Sequence, residues 1–152
     1  ILDPAPVRPL NIGQLQKVTY LTPNETEFEN LTGISLGGVV DARNHIHILL
    51  DKGVQNVILT LGSEGVLVAD QSGRIKHLPS HPVKVVDTVA AGDSFNGALA
   101  IGLVNGLLLD EAVAFANAVA ALTVSKEGAI PSLPRLHEAE EFLKSNLEDL
   151  AL

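Results

Sequence analysis

Residues 54–62, VQNVILTLG, carry valine, isoleucine and leucine with no alternation that would leave one face to water. A strand of this kind has to be covered on both sides, which is the usual situation of a strand inside a parallel sheet. Covering two faces takes helices, and helical patterns stand on either side in the sequence. Upstream, Val39, Ala42, Ile46, Leu49 and Leu50 recur at helical spacing over residues 39–52, and Gly53 ends the pattern. Downstream, the chain is mostly helical from Gly92: one helix to about Val104, a second from about Asp110 (DEAVAFANAVAALTV) that is apolar on most faces, and a third over 135–148 with acidic residues outward. The predicted fold class is α/β, a doubly wound and mainly parallel sheet flanked by helices.

Shorter signals fill the frame. KVTYLT (17–22) is a β-rich run; PNETEFENLTG follows, with Asn24 and Thr26 as candidate caps and Gly33 as a stop. GVLVAD, QSG and RIKHLPS read as a β-hairpin over 66–78 that forms an antiparallel edge, and VKVVD (83–87) as a further strand. SKEGAIPSLP is a loop. No internal repeat is visible.

Bulk properties narrow the function. The chain has 152 residues, a length that suggests one domain. With net charge −8, scattered Lys and Arg, and only 3% aromatics, it is a poor match to a nucleic-acid binder. A phosphate ligand would have to be attracted locally, by helix N-termini, backbone N–H groups or a metal ion. Zero cysteines exclude disulfides and thiolate–zinc sites. No apolar run is long enough to span a bilayer, and ILDPAPVRPL has no basic leader, so a cytoplasmic location and no membrane partner are expected. The same segment lacks an initiating Met and reads as a strand end running into a turn, which suggests a piece of a longer protein.

VDTVAAGDSFNGALA (86–100) raises the sharpest chemical question. Ligands of open α/β sheets bind where strands end and helices begin. Ala90, Ala91 and Gly92 bring almost no side chain, so an anion can reach backbone N–H groups there. Asp93 beside such a turn reads either as a general base or as a helix N-cap, and spacing alone favours the cap. Other residues have equally plain readings. Asn24 and Glu27 suit a cap and a first-turn acid, Gly62 and Gly65 turn formers, Asn117 a core polar residue, and Ser132 a cap of the last helix. His45 and His47 do not share a helix face and receive no role. Asn24-Glu25-Thr26 matches a glycosylation pattern, discounted without a sign of secretion. Ser94 lies in GDSFNG, not in the Gly-x-Ser-x-Gly of an α/β hydrolase.

DTVAAGDSFNGAL closely resembles the C-terminal signature of the ribokinase-like carbohydrate kinases of the phosphofructokinase-B type: Asp-Thr, a variable residue, Gly or Ala, Ala-Gly-Asp, a variable residue, Phe. Ala90 and the following Asn-Gly-Ala-Leu resemble the ribokinase branch. TPNETE (22–27) resembles the family's Asn-x-x-Glu motif, TLGSEG (60–65) its nucleotide loop and SKEGAIPS (125–132) its late cation loop, all in family order. The resemblance implies an anion hole from the N–H groups of Ala90, Ala91 and Gly92, with Asp93 as base. Asn24 and Glu27 would act through magnesium and its waters. Thr60, Leu61, Gly62, Ser63, Glu64, Gly65 and Asn117 would line the adenine nucleotide. Potassium would be held by Asp87, the carbonyls of Val89, Thr123, Lys126 and Gly128, and the Ser132 hydroxyl. The implied reaction moves the γ-phosphoryl group of ATP to a pentose hydroxyl, ribose first, with another sugar or a nucleoside as the alternative and a non-catalytic nucleotide module as the reading of different class. The family's sugar-gripping N-terminal half and lid have no counterpart in this sequence. Residues 1–152 therefore read as the C-terminal nucleotide-binding portion, inactive alone, of a protein expected to dimerise through the lid.

Overall fold

A computed structural model describes residues 1–6 and 12–149. The chain divides into two compact units, Ile1–Pro79 and Ser80–Leu152.

The first unit contains α1 (Ile12–Leu15), β1 (Tyr20–Leu21), α2 (Glu25–Thr32), α3 (Val39–His45), α4 (His47–Asp51), β2 (Asn56–Thr60), a 3₁₀ turn at Gly62–Glu64, β3 (Val66–Asp70) and β4 (Ile75–Leu78). The sheet runs β1-β2-β3-β4. β1 lies parallel to β2, with Leu21 opposite Val57. β3 and β4 add antiparallel pairs, Ile58 opposite Val68 and Val68 opposite Lys76, so the expected hairpin forms the edge. Leu2 continues the parallel pattern with a bridge to Leu21.

β2 has no wet face. Val57 and Leu59 pack with Phe28, Ile46, Leu49 and Leu67 in one apolar cluster. Ile58, between them, points to the other face and is equally buried. The expected helix over 39–52 is two helices. Leu49 N–H bonds Ile46 O at 3.3 Å, an i→i−3 turn that interrupts the ladder between α3 and α4.

The second unit holds α5 (Ala91–Val104), α6 (Leu109–Val124), a 3₁₀ turn at Ile130–Ser132 inside the expected loop, and α7 (Leu136–Asp149). α5 and α6 meet closely: a Cβ added at Gly102 would stand 3.0 Å from Ala112 Cβ. α6 buries Ala112, Val113, Ala116, Asn117, Ala118 and Val119, matching its all-round apolar sequence.

The strand expected at VKVVD is absent. Val85 and Val86 are more than half exposed, and the N–H groups of Val86 and Asp87 both donate to Val124 O, at 2.8 and 3.2 Å. β-propensity expresses itself only where a neighbouring strand offers a ladder, and this segment meets the end of a helix instead.

Candidate active site

In the first unit the TPNETE and TLGSEG motifs stand side by side. β1 and β2 are parallel, so their carboxyl ends share one edge of the sheet. There Asn24 bridges to Thr60, and Thr60 N–H donates to Pro23 O at 3.0 Å. Asn24 is the N-cap of α2. Its Oδ1 accepts from Glu27 N–H at 2.9 Å, while Glu27 Oε2 accepts from Asn24 N–H at 2.8 Å. This reciprocal pair satisfies two N–H groups that a helix start leaves over, and Glu27 is buried while making it. Thr26, the other candidate cap, lies within the helix.

Beyond Thr60, Leu61 is buried and its N–H bonds Gly65 O at 2.8 Å, which closes the loop. Gly62 and Gly65 have φ of 51° and 94°, where an L side chain is strained. Gly62 and Ser63 are exposed on the loop. Glu64 is turned toward Gly38 at the start of α3, where a Cβ would lie 2.9 Å from its Oε2, and its carbonyl lies 2.6 Å from His77 Nε2.

The second unit carries the rest of the predicted residues. The N-cap of α5 is Ala90, with φ 61° and ψ 9° and no side-chain cap bond. A non-glycine residue held in this left-handed region costs roughly 1–2 kcal/mol. The intrahelical ladder starts with Ser94 N–H to Ala90 O at 2.9 Å, so Ala91, Gly92 and Asp93 carry N–H groups with no i−4 acceptor. Ala91 N–H makes one long bond, 3.4 Å, to Thr88 O. Gly92 is not at positive φ, and a Cβ there would meet no atom within 4 Å. Neither crowding nor backbone conformation asks for glycine at this position.

Asp93 is not the cap that spacing favoured. It is the third helical residue, exposed, and accepts no hydrogen bond from the described residues. It lines a cavity of about 480 Å³ whose walls are mainly apolar, among them Gly97, Ile101, Phe115 and Leu133. The other polar side chains on that wall are Ser94, whose hydroxyl donates to Ala91 O at 2.9 Å, and Arg135.

Just ahead of this turn, Asp87 ties two loops together. Its Oδ1 accepts from Val89 N–H and its Oδ2 from Gly128 N–H, both at 3.0 Å. These bonds, Val89's first, hold its carboxyl below the usual carboxylate range. Asp87, Val89 and Gly128, three of the predicted donor residues, are thus neighbours. Thr123 is fully buried on α6, its hydroxyl bonded to Val119 O at 2.8 Å and its carbonyl taking Lys126 N–H at 3.2 Å. Ser132 is buried and its hydroxyl donates to Ala129 O at 2.7 Å, within the 3₁₀ turn, so it does not cap α7. Asn117 is buried on α6.

One participant escaped the sequence reading. Glu138 grips Lys126 Nζ at 3.0 Å and Arg135 N–H at 2.6 Å. An acid three residues after a helix start was the available signal for the second contact; nothing announced the first. Among the described residues no group of three or more His, Cys, Asp or Glu is placed to hold a metal ion, and no helix is long and apolar enough to cross a membrane.

Comparison with known proteins identifies the family. The family model for pfkB family carbohydrate kinases matches residues 1–136. A ribokinase of Haemophilus influenzae is 39% identical over 144 residues, 95% of this chain and 47% of the relative. The crystal structure of a Thermotoga maritima ribokinase matches with TM-score 0.84 and 42% identity, over 93% of this chain and 48% of that one. An Arabidopsis thaliana ribokinase, solved with ribose and ATP, matches with TM-score 0.88 and 34% identity, over 94% and 46%. The chain spans about half the length of the relatives it matches. On the extent of the family match, the chain belongs to the pfkB family of carbohydrate kinases.

Proposed function

We propose that residues 1–152 form the nucleotide half of an ATP-dependent sugar kinase, with ribose as the first-choice substrate. The observation that carries the reading is the start of α5. An exposed, uncommitted carboxylate follows a glycine that the fold does not require, on a helix whose first N–H groups lack i−4 acceptors. Phosphoryl transfer asks chiefly for positioning and charge stabilisation. The N–H groups of Ala90, Ala91 and Gly92 would hold phosphate oxygens, and Asp93 would take the proton of the attacking hydroxyl.

The donor chemistry fits the two cations. Glu27 and Asn24 offer a carboxylate and an amide oxygen, with one Glu27 oxygen and the Asn24 oxygen engaged in the cap. That suits magnesium reached through water, because magnesium sheds its waters reluctantly. Asp87 with the carbonyls of Val89, Thr123, Lys126 and Gly128 and the Ser132 hydroxyl is an all-oxygen set, suited to a hard cation such as potassium. When bound, such cations offset phosphate charge in a protein of net charge −8. In the first unit, Thr60 to Gly65 would wall the nucleotide. Another sugar or a nucleoside remains the alternative substrate.

The second reading, a module that binds nucleotide without transferring phosphate, is favoured for these residues by themselves by one observation. The cavity beside Asp93 has mainly apolar walls and so little with which to grip a polyol. Both readings face the same pair of measurements. Calorimetry of the chain with ATP and magnesium should detect binding at millimolar concentration or below; none there removes the nucleotide site. A sugar panel assayed on a polypeptide joining these residues to a sugar-binding half should give turnover, ribose leading, while the 152 residues alone give almost none. Robust ribose phosphorylation by the 152 residues alone would overturn the half-site reading.

A further inference from the structure

The anion-hole turn of α5 is connected to the first turn of α7 by a continuous series of contacts, all within the second unit. Val89 N–H, one residue before the strained Ala90, donates to Asp87 Oδ1 at 3.0 Å. The other Asp87 oxygen accepts Gly128 N–H, also at 3.0 Å. Gly128 lies two residues beyond Lys126, whose ammonium donates to Glu138 Oε1 at 3.0 Å. The remaining Glu138 oxygen accepts Arg135 N–H at 2.6 Å at the start of α7. Of the loop's charged side chains, Lys126 is the one that reaches another element; Glu127 makes no ion pair among the described residues.

From this geometry we infer that Glu138 is a positioning residue for the site: by holding Lys126 it sets the 126–128 backbone, and through Gly128 and Asp87 the turn that carries Ala90 to Asp93. The inference rests on the kinase reading for its consequence in catalysis, though not for its structural content. Glu138 touches no reacting atom, so its role is carried by backbone placement. The carbonyls of Lys126 and Gly128, not the Lys126 ammonium, belong to the candidate cation site. A displaced loop therefore costs cation affinity before it costs nucleotide affinity. The pair is only partly covered, with side chains 39% and 37% exposed, so its effect is modest. Ion pairs of this exposure shift an equilibrium by up to about five-fold.

Glu138→Gln separates the ion pair from the helix cap, since the amide oxygen still accepts Arg135 N–H. Lys126→Met removes the same pair from the other side and leaves the backbone carbonyl in place. Two readouts are measured for each variant and for the double variant. The first is amide hydrogen exchange at Gly128 in the 152-residue chain, which needs no enzymatic activity. Exchange should rise about two- to five-fold in either single variant, with no further rise in the double variant and no change at Leu61 in the first unit. The second is the potassium concentration for half-maximal turnover in the polypeptide with both halves. It should rise by a similar factor while ATP affinity at saturating potassium stays within two-fold. Unchanged Gly128 exchange overturns the positioning role whatever the activity. Additive effects in the double variant also overturn it, because the two side chains would then act separately. If Gly128 exchange responds as expected but turnover is indifferent to potassium, the positioning geometry stands and the cation part of the kinase reading fails.

Discussion

The two units use their signature residues differently. In the first, the motif residues also serve the fold. Asn24 and Glu27 complete a capping box, and Gly62 and Gly65 adopt backbone angles that other residues resist. In the second, Asp87 and Ser132 serve the fold as well, but the residues at the start of α5 do not. Ala90 bears a conformation that glycine would take more comfortably, Gly92 occupies a place where a methyl group would touch nothing, and Asp93 has no partner among the described residues. A motif that the fold explains says little about ligands by itself. A motif that works against the fold, or is idle in it, points to something the fold is not using. The second unit is therefore where function weighs more in the sequence.

The most direct way to break this contrast is Asp93→Asn in the polypeptide with both halves. A base predicts a fall in turnover on the order of 10²–10⁴ with ATP affinity nearly unchanged. Stability should change by no more than about 0.3–1 kcal/mol, the worth of a first-turn acid near a helix N-terminus. Near-normal turnover would return Asp93 to an ordinary helix-start acid. Next in size is Gly92→Ala. A methyl group with no neighbour should leave the melting temperature unchanged or raise stability by up to about 1 kcal/mol, while obstructing the approach of phosphate and lowering turnover on the order of 10². A drop in both together would show that the fold does need this glycine.

The first unit should respond in the opposite sense. Asn24→Ala should cost about 1 kcal/mol in denaturant unfolding, and Asn24→Ser, which keeps a capping oxygen, should recover most of it. If Ser restores stability but leaves a raised magnesium requirement, the residue has a second role beyond the cap. Recovery of both would confine it to the cap.

The smallest effect concerns acid. In the β3–β4 turn, hydrogen bonds from Ser72 and Arg74 lower the Asp70 carboxyl from 3.8 to about 2. A carboxyl whose folded value lies below its unfolded one stabilises above the unfolded value and loses that contribution as pH falls through the folded one. The hairpin should therefore weaken between about pH 4 and pH 2, and Asp70→Asn should flatten that slope. A slope unchanged by the substitution would place the acid sensitivity elsewhere, Asp87 being the next carboxyl to test, since it is lowered by the Val89 and Gly128 N–H groups.

Much of this was legible beforehand. The β2 composition demanded cover on two faces, Gly33 marked the end of α2, and the hairpin over 66–78 followed from its turn residues. The family motifs, read in order, pointed to the same kinases that the comparisons found. Two local readings failed for a shared reason. VKVVD has strand propensity but no strand beside it among the described residues, and Asp93 has cap chemistry but sits three residues past the cap position, inside the helix. In each case a short segment has a preference that its neighbours overrule.

By itself the sequence determined which segments are apolar, where the chain turns, and which residue types could meet a phosphate, because composition and spacing are local properties. Only the tertiary structure decided that Ala90 is forced into the left-handed region, that Asp93 is left uncommitted, and that Glu138 reaches Lys126 across 12 residues of sequence. Those outcomes depend on which groups the folded backbone brings within hydrogen-bond reach, and no pattern along the chain records that distance.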